Sequence, residues 1–350
     1  MNMRVLKRTL AFILSACCAF SLCACGSNGA SQNANLRKVS FMLFWAPDTN
    51  HIGIYVAKNK GWFKDAGLDV NILAVAQTGS EHAVDSGAAD FALSTLTNIA
   101  DFSTKGANLE QVMQVQQKPS SIWCSLAKNN KIHSPKDFDG RTFATFGSAE
   151  GDAVIRRMIQ HDGGEGKFDK VTVGTSTFRT LESGKADFGG FYGTWEGVQS
   201  EMFGPKLRCF KSVDYGVPGQ PDTIGVITNK RTVKRDPKLV RAFVKAVKRG
   251  YEYAYAHPDE ASNILVKEAK DANLDPKFVK RSMKMIVDGE YWGSKADIKS
   301  GKFVFGTSDV KGAQDYFNFL SQGGAYTDAK GKVTHKTPQA KELSTDEFLK

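Results

Sequence analysis

Cysteine is nearly missing from the chain beyond residue 25: only Cys124 and Cys209 remain, 85 positions apart. No C-x-x-C spacing occurs there and no histidine partners either thiol, so a zinc site and a cysteine nucleophile have no support. The two read as small buried apolar residues, with a disulfide as the alternative. A bilayer-spanning run is also lacking. The most apolar segment, Leu10–Leu22, holds about thirteen residues, where a span needs about 20. No G-x-x-x-x-G-K-[ST] string is present, which excludes the P-loop hydrolases. No nucleic-acid-binding motif appears, and the net charge of +10 is spread through the chain rather than clustered. It reads as solvated surface.

The apolar segment follows Arg4, Lys7 and Arg8 and ends in Leu22-Cys23-Ala24-Cys25-Gly26. These are the parts of a secretory signal with a bacterial lipobox, in which the thiol at +1 takes the lipid. The expectation is a signal over 1–24, cleavage before Cys25 and a lipidated Cys25; ordinary secretion with an incidental Cys25 is the alternative. Residues 25–36 are small and polar and read as a tether, with a reach of ~18 Å. Two acyl chains anchor a protein without a spanning helix, so the folded part would face outward from a cell membrane. Loss of three basic residues leaves a charge near +7. About 325 remaining residues exceed what one core usually serves, which implies two lobes.

Phe41–Asn71 carries the clearest pattern. Phe41–Phe44 is a short apolar run, Trp45–His51 breaks it with Pro47 and cap-type residues, and Ile52–Asn59 resumes at helical period. Leu68–Leu73 is the next strand. Such a β-loop-α-β unit implies a parallel sheet, with ligands at the carboxyl ends of its strands. The string WAPDTNHIGIYVAKNKGWFKDAGLDV resembles the opening of the solute-binding proteins of ABC importers. Its W-x-P-[DN]-T-N-H-x-G-[IL]-Y-V-A pattern is similar to the branch that takes up thiamine-pyrimidine precursors, related to nitrate, taurine and sulfonate binders.

The resemblance implies an α/β, bilobed periplasmic-binding-protein type II fold: two βαβ lobes joined by two hinge crossings. Lobe 1 is expected over 37–125 plus 226–350, and lobe 2 over 126–225. The crossings are read near Ser121–Leu126 and Pro221–Ile227. Ala89-Asp90-Phe91 and Ala186-Asp187-Phe188 suggest that the two lobes are built alike. The C-terminal third reads as helical, with Asp236-Pro237 and Asp275-Pro276 as helix starts. The tail after Tyr326 reads as loosely packed.

The candidate ligand-binding set is Trp45, Asn50, His51, Gln77, Gly79, Ser94, Gly147, Ser148, Tyr192, Trp195, Glu196 and Asp222. Trp45 reads as a stacking face or as a cap on the core, and His51 as a donor to ligand or a helix cap. Gly189-Gly-Phe-Tyr192-Gly-Thr-Trp195-Glu196 resembles the family's G-[GF]-[YF]-x-x-W-E string. It offers Glu196 as an acceptor for an exocyclic amine and a protonated ring nitrogen, with Tyr192 or Trp195 as a wall; the alternative is the start of a surface helix. Gly147–Asp152 can aim backbone donors at a neutral carbonyl oxygen. It carries Glu150 and Asp152 but no cation, which argues against anionic ligands. Asp222 adds a second acceptor.

The implied function is capture of a small aromatic heterocycle, an aminopyrimidine first, and delivery to a membrane permease and its ATPase. Riboflavin-like ligands, or sulfonate, nitrate and taurine, are the alternatives within the fold. A fungal relative of the fold synthesises the pyrimidine with a cysteine cluster and a lysine-held pyridoxal cofactor, but the processed chain has no such cluster. No enzyme activity, catalytic residue, metal or cofactor is expected. A monomer is expected, with no nucleic-acid partner.

Overall fold

A computed structural model describes residues 36–350. The expected signal over 1–24, the lipid site at Cys25 and all of the tether except residue 36 lie outside the described residues. No described helix is long and apolar enough to cross a membrane.

Among the described residues, ten strands form two five-stranded mixed sheets. They are β1 (Arg37–Met42), β2 (Leu68–Leu73), β3 (Phe91–Thr95), β4 (Leu109–Gln114), β5 (Ser121–Leu126), β6 (Thr142–Thr145), β7 (Asp169–Thr172), β8 (Phe188–Tyr192), β9 (Leu207–Phe210) and β10 (Ile224–Asn229). The first sheet runs β2-β1-β3-β10-β4 and the second β7-β6-β8-β5-β9. In each, three parallel strands come from a βαβ pattern, and the fourth strand is an antiparallel one belonging to a crossing. β5 is a full member of the second sheet and β10 of the first, so the chain crosses between the sheets at 115–120 and returns at 211–223.

The A-D-F strings perform the same work in both halves. Phe91 sits opposite Phe41 and Phe188 opposite Phe143. One residue earlier, the Asp90 carboxylate accepts the Ser40 N–H at 2.8 Å, and the Asp187 carboxylate accepts the Thr142 N–H at 3.0 Å. Each acid thus satisfies a donor of the neighbouring parallel strand. Each phenylalanine is fully buried and stacks on another ring, Phe91 on Phe243 at 3.9 Å and Phe188 on Phe138 at 4.1 Å.

The helix Ile52–Asn59 lies against the long helix Pro237–Ala256. Glycine makes that approach possible: a Cβ on Gly250 would stand 2.0 Å from the Gly53 carbonyl oxygen. Asp236 and Asp275 cap their helices through the N–H groups of Leu239 and Phe278, each with proline in the first turn.

Two expectations are corrected. The tail is anchored rather than loose: Ser344 bridges to Gln111 on the edge of β4, and Phe348 and Leu349 are buried in the main core. Burial of those two apolar side chains outweighs the polarity around them. Cys124 and Cys209 are not two separate apolar residues but a disulfide. The cause is register: β5 and β9 pair antiparallel with Cys124 directly opposite Cys209, Cα atoms 4.1 Å apart.

Candidate functional site

One cavity of about 280 Å³ opens between the two sheets, at the carboxyl ends of the parallel strands. From the first sheet side come Phe44 and Trp45, in the loop after β1, Thr95, at the end of β3, and Asn98, in the first turn of the helix Leu96–Thr104 that follows. From the second come Trp123, Phe143, Phe146, Phe191 and Tyr192. Ser148 and Glu150, at the start of the helix Ala149–His161, also line it, as do Glu196 and Asp222. Aromatic walls therefore enclose three carboxylates, and no lysine, arginine or histidine is among the lining residues.

Glu196 stands in a single π-helical turn, Gly193–Gly197, that follows β8; such turns recur at functional sites. Its carboxylate accepts the Tyr192 N–H at 3.1 Å. Burial pushes its carboxyl up to about 7, opposed by hydrogen bonds from the Tyr192 and Glu196 N–H groups, with Asp48 adding a further rise. Glu150 accepts the Tyr316 hydroxyl at 2.7 Å. Burial pushes its carboxyl up to about 7 as well, against the pull of that hydrogen bond, and the charges of Asp222 and Asp101 add to the rise. Desolvation disfavours the charged form of an acid, which is the common cause.

Asp222 belongs to the return crossing and ties it to the outgoing one. Its carboxylate accepts the N–H groups of Ser120 and Ser121, the latter at 2.6 Å, and both serine hydroxyls. Burial still raises its carboxyl above the usual range. Four donors leave Asp222 largely satisfied by the protein itself. The Trp123 indole nitrogen has the opposite status, buried with no acceptor among the described residues.

Of the sequence-derived candidates, Trp45, Ser148, Tyr192, Glu196 and Asp222 meet at the cavity. The others lie away from its walls. Asn50 and His51 are spent on their own loop: Asn50 donates to Asp48 through its N–H and side-chain amide, and His51 Nδ1 lies 2.8 Å from Asp48 Oδ1. The Phe44 N–H donates to His51 Nε2, so the pair shapes the loop that presents Phe44 and Trp45. The Tyr251 hydroxyl fixes the same loop by donating to the Asn50 carbonyl at 2.5 Å. Ser94 donates to Glu81, which also takes the Asn98 side chain at 2.7 Å. Gln77 is exposed, and Gly147 supplies a turn at φ +102°. Trp195 packs on Phe278 with ring centroids 4.3 Å apart.

The lining also includes residues absent from that set. Glu150 had a readable signal: an acid in the first helical turn after a glycine at a strand's carboxyl end, where ligands of α/β sheets bind. Phe146 and Trp123 carried no comparable signal.

The NMT1/THI5-like family model matches residues 48–261. The formylaminopyrimidine-binding protein of Halalkalibacterium halodurans is 31% identical over 72% of this chain and 77% of its own length. A 4-amino-5-hydroxymethyl-2-methylpyrimidine phosphate synthase of Saccharomyces cerevisiae, THI13, is 25% identical over 64% of this chain and 69% of its own. Among solved structures, the alkanesulfonate-binding protein SsuA of Xanthomonas axonopodis pv. citri, bound to MOPS, superposes with a TM-score of 0.65 at 12% identity, covering 88% of this chain and 98% of that one. That likeness establishes the fold, the bilobed periplasmic-binding-protein architecture. With the model covering well over half of the chain, and with this degree of identity, the chain belongs to the NMT1/THI5-like family.

Proposed function

We propose that this protein is the extracytoplasmic substrate-binding component of an ABC importer. It captures a small aromatic heterocycle, an aminopyrimidine of the thiamine-precursor type, by lobe closure, and delivers it to a membrane permease. The observation that carries the reading is the lining of the cavity: aromatic faces, three carboxylates and no cation. An aminopyrimidine presents a flat face to the rings and N–H donors to Glu196, a charge-assisted pairing worth ~1.5–3 kcal/mol. The formylaminopyrimidine-binding relative supports the same ligand class.

The same lining disfavours the alternatives. A sulfonate or nitrate would meet acids instead of guanidinium or ammonium groups, and like charges repel strongly out of water. A volume of about 280 Å³ suits a single substituted ring better than a tricyclic flavin with its side chain. The synthases among the relatives raise an enzyme as a further reading. Against it, no lysine lines the cavity to hold a carbonyl cofactor, and Cys124 and Cys209 are joined to each other. A lipid anchor at Cys25 and a monomeric state belong to the same proposal.

Titration calorimetry on the processed chain tests it. 4-Amino-5-hydroxymethyl-2-methylpyrimidine should bind at micromolar or tighter Kd, with riboflavin and taurine far weaker. Tight taurine binding without pyrimidine binding would overturn the ligand assignment.

A further inference from the structure

A second cavity has the opposite electrostatic character. It measures about 600 Å³ and shares no lining residue with the cavity described above. One side is the helix Ala149–His161, which follows β6 of the second sheet; the other is the helix Val310–Gln322, which packs on the first sheet. Gly216 and Pro218 of the return crossing also line it. The first cavity has three carboxylates and no cation, whereas this one has Arg156 and Arg157. Among its lining residues the one acid is Asp315, and Lys311, one turn earlier in the same helix, meets that charge at 2.8 Å.

Neither arginine is within ion-pairing distance of a carboxylate among the described residues. Both are exposed, so an ion can reach them from solvent. Arg157 is nevertheless held in place. Its Nε donates to the Gly216 carbonyl at 3.0 Å, and a Cβ on Gly216 would stand 3.2 Å from that nitrogen. Its remaining N–H groups have no acceptor among the described residues. On the facing helix, Asn318 accepts the Gln314 amide at 3.1 Å through its Oδ1, which leaves its own NH2 group unspent. The cavity thus presents two cationic forks from one helix and an amide donor from the other, with no acceptor charge to satisfy them from within. Planar guanidinium forks match phosphate oxygens in pairs, and a fork already fixed by the main chain loses little freedom on binding.

We propose that this cavity is a second ligand site, for a phosphate-bearing anion held by Arg156 and Arg157 on one side and Asn318 on the other. The inference is independent of the heterocycle reading, since the two cavities have no residue in common. The anion bridges a helix of each sheet, so its occupancy ties the helix Ala149–His161 to the helix Val310–Gln322 and stabilises the fold by mass action. Two sources carry the same chemistry: a free diphosphate, and the headgroup of an anionic lipid beside a membrane-tethered chain.

The test titrates the processed chain with inorganic pyrophosphate by calorimetry at about 0.15 M salt, where loose surface attraction is screened. In parallel, vesicles of phosphatidylglycerol and of phosphatidylcholine are sedimented with the same protein. The comparison proteins are Arg156→Gln/Arg157→Gln and Asn318→Leu. Pyrophosphate should bind wild type with a Kd below about 1 mM. The double arginine variant should bind at least about tenfold more weakly and Asn318→Leu about threefold more weakly. Pyrophosphate should raise the melting temperature of wild type and leave that of the double variant where it was. Sedimentation of wild type, but not of the double variant, with phosphatidylglycerol and without pyrophosphate binding keeps the site and assigns the anion to lipid. Saturable binding of neither probe to wild type overturns the inference, as does binding that the double variant retains. Should the double variant fail to melt cooperatively, Asn318→Leu decides in its place: weaker binding supports the site and unchanged binding overturns it.

Discussion

Tyr316 and Glu150, 166 positions apart, meet at 2.7 Å, the tyrosine hydroxyl donating to the carboxylate. Tyr316 belongs to the helix Val310–Gln322, packed among first-sheet residues such as Ala92 and Ile227, whereas Glu150 opens a helix that follows β6 of the second sheet. The bond therefore joins the two halves beside the ligand cavity. Tyr316→Phe keeps the ring and removes the bond. Its expected effect is a loss of about 1 kcal/mol of ligand affinity, five- to tenfold in Kd, carried mainly by faster dissociation. Stopped-flow release kinetics measure it; an unchanged off-rate would show that the bond plays no part in retention.

Glu150 and Glu196 also set the pH response of the empty protein. Both carboxyls titrate at about 7 in the fold, against 4.5 for a free glutamate. The folded state holds these protons more tightly than the unfolded chain does. The stability they contribute is fully present below pH 4.5 and is lost as pH rises through about 7. The melting temperature of the ligand-free protein should fall between pH 5 and 8. In the double variant Glu150→Gln/Glu196→Gln that slope should flatten. A melting temperature that climbs over the range in wild type contradicts the assignment.

Trp195 and Glu196 are adjacent but separate in what they do. Glu196 lines the cavity, while Trp195 turns to Phe278. Glu196→Ala should weaken aminopyrimidine binding by ~1.5–3 kcal/mol with a small change in stability. Trp195→Ala should cost ~3–5 kcal/mol of folding free energy, the scale of a large ring removed from a core. Urea unfolding and calorimetry on the same two proteins separate the effects. Trp195→Ala abolishing binding at unchanged stability would reverse the roles.

What was legible in the sequence is what repeats locally. The helix Ile52–Asn59 and the proline-led helices follow from period and caps, and the twin A-D-F strings follow from two strands meeting the same need for a backbone acceptor. Tyr192 and Glu196 were legible because a strand end and the turn after it lie close in sequence. The rest depends on pairs brought together only by the fold. Cys124 and Cys209 face each other because of strand register, and Glu150 acquires meaning from Tyr316 far along the chain. Asn50 and His51 looked like ligand contacts because their residue types are versatile, yet a buried acid two or three positions away claims them first.

The disulfide is a stability element of the second sheet. It closes a long stretch of chain, with partners 85 positions apart, and cross-links of that kind contribute typically ~2–4 kcal/mol. Cys124→Ser/Cys209→Ser should lower the urea midpoint accordingly, and reductant should shift wild type toward the variant. Ligand affinity of the folded variant should stay within about threefold, since Cys124 and Cys209 lie outside the cavity lining. Equal midpoints for wild type with and without reductant would show that the cross-link contributes nothing.

Trp45 and Phe146 form the mouth of the cavity. One ring comes from the loop after β1 and the other from the loop after β6, and they meet edge to face at 4.8 Å. Phe146 is 47% exposed, so its ring is held by this partner more than by a core. In the proposed mechanism, ligand binding favours the closed arrangement in which these two rings touch. A double-mutant cycle on ligand affinity with Trp45→Ala and Phe146→Ala should therefore give a coupling of ~0.5–1.5 kcal/mol. The same cycle on unfolding of the ligand-free protein should give almost none. Coupling of equal size in both measurements would mean that the rings are joined before ligand arrives, and that the mouth is a fixed wall instead of a gate.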